Sequence, residues 1–186
     1  MSMTIEEPGE KLSTILILQL ASLIVVAFGF WLAISAYPSL PHTYPVHFTL
    51  SGVPDGWDTK SWTSVLRLPL IQLVLFMLMA GMTLWSMFSI KALAYINVPG
   101  LDKSKLFMLP DEEQKKVRWL AAVFSSLIGL LILLFFLYLN YAMIKSEIKG
   151  VSPSMSMILF VVVVSLIFVF AASRWLTAEV KKIQHQ

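Results

Sequence analysis

Four long apolar segments alternate with polar connectors along this chain. The apolar segments cover residues 13–36, 66–90, 119–144 and 154–176. Each is long enough to cross ~30 Å of hydrocarbon as a helix, which takes about 20 residues. The runs are continuous rather than alternating, and no Asp, Glu, Lys or Arg lies in the middle of any of them. Because a span in lipid must satisfy its own backbone hydrogen bonds, the pattern predicts an all-α integral membrane protein with four transmembrane helices.

Basic residues predict how these helices are oriented. The connector at residues 91–118 carries six of them: Lys91, Lys103, Lys105, Lys115, Lys116 and Arg118. The connector at residues 37–65 carries Lys60 alone. The positive-inside rule therefore places both termini and residues 91–118 in the cytoplasm, and residues 37–65 outside. This predicts a single membrane domain over residues 1–186, located in the cytoplasmic (inner) membrane of the cell.

Composition agrees with a lipid environment and excludes several kinds of site. The chain is 58% hydrophobic and 13% charged, whereas a soluble domain has nearly twice that charged fraction. Its net charge of +3 arises from basic residues that flank the apolar runs, so topology explains the charge and no nucleic-acid partner is predicted. The chain has no cysteine, which excludes disulfides, thiol nucleophiles, thiolate metal sites and iron–sulfur clusters.

Polar residues within the apolar segments are predicted to face neighbouring helices, because polar groups in hydrocarbon seek partners. The main ones are Gln19, Ser22, Gln72, Thr83, Ser86, Ser125, Ser126, Asn140 and Ser165. Small residues recur four apart at Gly29 and Ala33 and at Ser125 and Gly129, a spacing that allows close helix contact. No ionisable residue lies at the middle of a span, which disfavours ion-coupled transport.

The connector at residues 37–65 is rich in Pro and Gly, and we predict an ordered loop there. Val46–Leu50 has high strand propensity and predicts one short strand. Gly52 and the run Pro54-Asp55-Gly56 predict tight turns. Prolines that fix φ predict an extended entry to the loop, at Pro38, Pro41 and Pro45.

His47 and Asp55 could meet once the chain turns back at Gly52. An imidazole with carboxylates is a possible half-site for zinc or a similar ion, with His42 as a further ligand candidate. Such sites usually need three or four protein ligands, and the sequence has no H-E-x-x-H motif. The alternative is a hydrogen bond from His47 that holds the loop together, so no cofactor is predicted.

The loop resembles a known family. The string Pro41-x-x-x-Pro45-x-His47-Phe48-x-x-x-Gly52-x-Pro54-Asp55-Gly56-Trp57-x-x-Lys60 is similar to the signature of the N-terminal membrane domain of SdpI-type immunity proteins. The resemblance implies protection from a secreted membrane-active peptide toxin and sequestration of a cytoplasmic repressor at the membrane. It implies no catalytic residues. The motif positions carried over are Pro45, His47, Phe48, Gly52, Pro54, Asp55 and Trp57.

These observations predict a non-enzymatic multi-pass protein that recognises a peptide, an ion or another membrane protein at its outer face. The run Leu109–Arg118 predicts a cytoplasmic extension of the third helix, with ion pairs four residues apart. A cytoplasmic regulator could dock on its basic residues Lys115, Lys116 and Arg118, and a homo-oligomer is compatible with the pattern. The alternatives are an accessory structural subunit of a larger membrane complex and a metal-dependent membrane enzyme.

Overall fold

The computed structural model describes residues 8–49, 51, 53–96, 103–149 and 155–184. Four long helices dominate this part of the chain: α1 (Pro8–Ala36), α3 (Arg67–Phe88), α5 (Asp111–Lys149) and α6 (Met155–Gln184). Four stretches are long and apolar enough to cross a membrane: Leu12–Ser39, which continues past the end of α1, Arg67–Phe88, Asp111–Ser146 and Leu159–Ile183. The prediction of a helical, multi-pass membrane protein is confirmed.

Residues 37–65 fold into a compact set of short elements. They form a 3-10 helix (Tyr37–Ser39), strand β1 (Thr43–Phe48), strand β2 (Pro54–Thr59) and helix α2 (Trp62–Val65). The strands pair in an antiparallel hairpin, so the description "all-α" has to be corrected to include a two-stranded sheet. β-branched and aromatic residues in β1 favour a strand, and Pro54 is tolerated as the first residue of β2.

The local predictions for this hairpin need three corrections. The predicted strand Val46–Leu50 is shifted, since β1 begins at Thr43 and Leu50 lies outside the described residues. Pro54-Asp55-Gly56 is not a turn but the start of β2, because a proline is tolerated as the first residue of a strand. The turn lies earlier, where the amide of Thr49 donates to the Val53 carbonyl at 2.8 Å. The entry is not fully extended either, since Pro38 lies in the 3-10 helix.

α5 begins where the sequence signals a helix start and runs without interruption from Asp111 into its apolar segment. Pro110 precedes it, and the backbone amide of Gln114 donates to the Pro110 carbonyl at 3.0 Å. Carboxylates in the first turn suit the positive end of the helix dipole. The predicted ion pairs are wrong by one residue, because the observed ones join Lys115 to Glu112 and Lys116 to Glu113, each at 2.7 Å. Residues three apart also share a helix face.

The structure divides into two compact units. The first comprises residues up to 21, 77–130 and from 167 onward. Its apolar core includes Leu93, Leu106, Val117 and Val180, supplied by the 3-10 helix Ile90–Tyr95, helix α4 (Lys103–Met108), α5 and α6. In the same unit, the Gln19 amide donates to the hydroxyls of Ser126 at 3.0 Å and Thr83 at 3.4 Å. This polar cluster joins α1, α3 and α5, as predicted for polar residues inside spans.

The second unit comprises residues 22–76 and 131–166. Its core of Ala33, Leu40, Tyr44 and Val65 lies beneath the hairpin. Two side-chain amides link its long helices. Gln72 of α3 donates to the Leu133 carbonyl of α5 at 2.9 Å, and Asn140 of α5 donates to the Gly29 carbonyl of α1 at 3.1 Å.

Candidate functional site

The hairpin places His47 and Asp55 side by side on its exposed face. The distance from His47 Nδ1 to Asp55 Oδ1 is 2.5 Å, while the two side chains remain 72% and 42% exposed. The predicted meeting of these residues is confirmed. A carboxylate at Nδ1 orients the ring, and the exposed side chain leaves Nε2 as the other ring nitrogen for a partner.

An irregular strand register brings these two residues together. His47 pairs with Gly56 and Phe48 pairs with Pro54, so Asp55 has no direct partner on β1. Val46 is likewise skipped between Pro45 and His47. Bulges of this kind re-aim a side chain relative to a regular ladder. Here the bulge turns the Asp55 carboxylate toward the imidazole.

Gly56 allows the close approach of the two strands at this point. A Cβ on Gly56 would lie 2.7 Å from the Cβ of His47, closer than side-chain carbons approach one another. The absence of a side chain at position 56 therefore allows His47 to lie across from it. The sequence shows this glycine only as a turn signal, and the strand pairing gives it its role.

At its base, the hairpin is attached through Asp58. Asp58 Oδ2 accepts hydrogen bonds from Arg67 at 2.6 Å and from the Ser64 hydroxyl at 3.0 Å. Its Oδ1 accepts from the amide of Thr59 at 2.8 Å. The Arg67 guanidinium, followed by these other donors, holds the pKa of the Asp58 carboxyl below its usual value. Asp58 thus ties β2 to the beginning of α3.

Tyr44 anchors strand β1 to the apolar core of the second unit. Its ring is buried with Ala33, Leu40 and Val65, and its hydroxyl lies 2.5 Å from the Ser64 hydroxyl. Burial raises the pKa of the Tyr44 phenol. Ser64 thus connects Tyr44 to Asp58, so both strands depend on one hydrogen-bonded group. The sequence shows no sign of this role for Tyr44, because tyrosine fits a strand in many environments.

Lys60 closes the hairpin where β2 ends. Its amide donates to the His42 carbonyl at 2.8 Å, and its ammonium donates to the carbonyls of Leu40 at 2.8 Å and Pro38 at 3.3 Å. The ammonium also lies 4.9 Å from the centre of the Tyr37 ring, which stacks on Trp62 at 3.8 Å. The conformation of the chain entering the hairpin is therefore fixed by a cation at its exit.

The remaining motif positions divide into buried supports and exposed groups. Pro45 is fully buried, and Phe48 and Pro54 are half-buried. Trp57 lies opposite Pro45 and is 56% exposed, which is unusual for so large an apolar side chain outside a membrane span. Gly52 lies outside the described residues.

The metal candidates do not converge. Within residues 8–49, 51, 53–96, 103–149 and 155–184, no three His, Asp or Glu side chains are close enough together to hold an ion. The side chain of His42 is exposed on the strand entry. The proposed docking residues lie in the first turns of α5, where Lys115 and Lys116 are paired with carboxylates. Arg118 is half-buried, with its Nε lacking a hydrogen-bond partner among the described residues.

Comparison with known proteins gives one match. A family described as "Domain of unknown function (DUF1648)" is similar to residues 23–73 of this chain. This segment includes the second half of α1, the hairpin, α2 and the beginning of α3, and it covers less than half of the sequence. No curated protein and no solved structure matches the chain. The matched segment contains the whole hairpin with its attachment to Arg67.

Proposed function

We propose that the β1–β2 hairpin is the recognition element of a non-enzymatic membrane protein, and that it faces the outside of the cytoplasmic membrane. The observation that carries this proposal is the contrast between its base and its exposed face. Tyr44, Asp58 and Lys60 are held by hydrogen bonds, while His47, Asp55 and Trp57 are presented to solvent. Holding groups in place before a partner arrives lowers the entropic cost of binding.

The exposed groups suit a peptide or a segment of another membrane protein. Trp57 offers a large, rigid apolar surface of the kind that dominates protein interfaces. The His47–Asp55 pair offers an imidazole nitrogen and carboxylate oxygens for hydrogen bonds. The resemblance of the motif to SdpI-type proteins supports an immunity or signalling role, with a secreted membrane-active peptide as the ligand and a regulator that docks near Lys115, Lys116 and Arg118.

Substitutions on the exposed face test this proposal. His47→Ala, Asp55→Asn and Trp57→Ala should each lower survival of cells that are challenged with such a peptide, and each should leave the amount of folded protein in the membrane unchanged. Thr43→Ala is the matched control, because Thr43 is exposed on the same hairpin and lies far from the His47–Asp55 pair in the strand register. Full protection by all three variants would contradict the proposal.

Orientation can be tested separately with cysteine labelling, because the chain has no cysteine of its own. Thr59→Cys reports on the hairpin and Lys105→Cys on the basic connector, and both side chains are exposed. An impermeant thiol reagent should label Thr59→Cys in intact cells and should label Lys105→Cys only after the membrane is opened. Labelling of both positions from one side would contradict the orientation that the basic residues predict.

A metal-dependent role is the second candidate. A histidine that binds a metal through one ring nitrogen commonly donates a hydrogen bond from its other ring N–H to a carboxylate, as His47 can to Asp55. The missing ligands would have to come from a partner or from a second copy of the chain. Metal analysis of purified protein distinguishes the two candidates. Stoichiometric metal that is lost in His47→Ala would favour this second role over peptide recognition.

A further inference from the structure

A cleft of about 280 Å³ lies in the first compact unit, where α3 ends. Its walls include Met82, Trp85, Ser86, Tyr95, Phe124 and Ser125, which come from α3, the following 3-10 helix and α5. Trp85 and Tyr95 are 41% and 73% exposed, so the cleft is open on their side. None of these residues belongs to the hairpin, so a ligand in the cleft would be separate from the proposed recognition role.

The position of the cleft along α3 indicates what surrounds it. Met82 and Trp85 lie in the last two turns of a helix that can span a membrane, so the cleft is at the end of the apolar segment. The rings of Trp85 and Tyr95 meet edge to face, with centroids 5.3 Å apart. Tryptophan and tyrosine favour the depth of the lipid headgroups. The cleft therefore opens toward lipid at the boundary between hydrocarbon and headgroups.

An apolar cleft at this depth is best filled by an acyl chain. An empty cleft would cost its walls the dispersion contacts that close packing provides. Water would find few hydrogen-bonding partners there, because six of the ten lining residues are aliphatic, methionine or phenylalanine side chains and polar side-chain atoms come only from Ser86, Ser125, Trp85 and Tyr95. A flexible hydrocarbon chain fits the methionine and aromatic lining without leaving a polar group unpaired.

A lysine that adjoins the lining of the cleft along the chain indicates the headgroup. Lys91 directly precedes the lining residue Ala92 and is exposed. In the part of the chain that the structure describes, no carboxylate forms an ion pair with Lys91, whereas Lys115 and Lys116 are both paired. A basic residue near the membrane surface contributes about 1 kcal/mol of attraction to anionic lipid.

We propose that this cleft binds one anionic glycerophospholipid. One acyl chain lies along Met82, Trp85 and Phe124, and the phosphate lies within reach of the Lys91 ammonium. The hydroxyls of Ser86 and Ser125 face the end of the acyl chain that is next to the headgroup, where the ester oxygens of the lipid can accept hydrogen bonds. The bound lipid stabilises the folded protein, because a ligand that binds only the folded state shifts the unfolding equilibrium.

Titration of the purified full chain in neutral detergent tests the chemistry of the ligand. Phosphatidylglycerol should raise the midpoint of thermal unfolding in a saturable way, and phosphatidylcholine with the same acyl chains should raise it less. Glycerol phosphate, which has the charge but no acyl chains, should have no effect. Equal shifts with the two lipids, or the full shift with glycerol phosphate alone, would overturn the proposal.

Two variants test the position of the site. Lys91→Gln should weaken the apparent affinity for phosphatidylglycerol about fivefold, equivalent to ~1 kcal/mol. Lys105→Gln is the matched control, because Lys105 is an exposed lysine of the same connector with no lining residue of the cleft next to it in sequence, and it should change the affinity little. Equal losses in the two variants would show a diffuse effect of surface charge and would overturn the site.

Ser125→Phe fills the cleft with an aromatic ring and should abolish the saturable shift. In a background that keeps Trp85 and replaces the other five tryptophans by Phe, brominated acyl chains should quench the Trp85 fluorescence, and they should quench it much less once Ser125→Phe is added. Equal quenching of both proteins would overturn the assignment of the chain to this cleft. If Ser125→Phe does not fold, the comparison of Lys91→Gln with Lys105→Gln decides the matter alone.

Discussion

Gly29 of α1 and Gln72 of α3 share one small space, because a Cβ on Gly29 would overlap the side-chain amide of Gln72. Gln72 is fully buried, and its Nε2 donates to the Leu133 carbonyl of α5. Asn140 of α5 in turn donates to the Gly29 carbonyl. A residue without a side chain thus allows two amides to link three helices in a region where lipid offers no hydrogen bonds.

Gly29→Ala should destabilise the protein by ~1–3 kcal/mol, the usual cost of inserting a methyl group into a packed site. The added carbon displaces the Gln72 amide, which is held by its hydrogen bond to α5. The measurement is the free energy of unfolding in detergent. Gly81→Ala is the matched control, since a Cβ there meets no atom within 4 Å, and it should be neutral or stabilise by up to ~1 kcal/mol. Equal effects of the two changes would contradict this account.

Gly56→Ala should separate His47 from Asp55. The new Cβ would lie 2.7 Å from the Cβ of His47, so the strands must move apart at the bulge. Nitrogen NMR of the His47 ring should show loss of the hydrogen bond at Nδ1. Combining the change with His47→Gly removes the clash, so protection of the hairpin amides from exchange should return in the double variant. Unchanged ring signals in Gly56→Ala would contradict the predicted clash.

Attachment of the hairpin should weaken in acid. The pKa of Asp58 is lowered in the folded protein, first by its hydrogen bond to Arg67. A lowered pKa contributes stability above the unfolded value of about 3.9, and that stability is lost as the pH falls through the folded value. The protection factors of the hairpin amides, which correct for the intrinsic pH dependence of exchange, should therefore fall below about pH 4. Asp58→Asn should remove this pH dependence and increase exchange at neutral pH. A variant that keeps the same acid transition would show that another group is responsible.

Gln114→Ala should loosen α4 without unfolding the protein. Gln114 is buried, and its side-chain Nε2 donates to the carbonyls of Phe107 at 3.1 Å and Leu109 at 2.9 Å. Removing a buried partner of this kind costs ~1–3 kcal/mol. Limited proteolysis or amide exchange should show faster opening of residues 103–109. Lys115→Ala, an exposed neighbour on the same helix, should leave that rate unchanged.

Short-range patterns in the sequence predicted the helices more accurately than the hairpin. The beginning of α5 is set by Pro110 and the carboxylates that follow it, and both are visible in the sequence. The hairpin contains Pro54 and Gly56, which usually signal a turn. Here they lie inside a strand, because pairing with β1 and the position of the His47 Cβ override that local preference.

The sequence predicted which residues form the candidate site but not which contacts hold them in place. The turn signals between His47 and Asp55 predicted that the two side chains could meet, although the bulge that orients Asp55 is visible only in the structure. The roles of Tyr44, Ser64 and Arg67 were not predicted, because each depends on a contact between residues that are well separated along the chain. No periodicity or spacing encodes such contacts.

By itself, the sequence determined that this protein has four helical segments long and apolar enough to cross a membrane, because length and apolarity are properties of each run alone. Tertiary structure alone decided that Gly29 receives the amide of Gln72, that a bulge turns Asp55 toward His47, and that one carboxylate, Asp58, fastens the hairpin to α3. The physical reason is that hydrophobicity acts on each segment separately, whereas steric fit and hydrogen bonding depend on which segments meet.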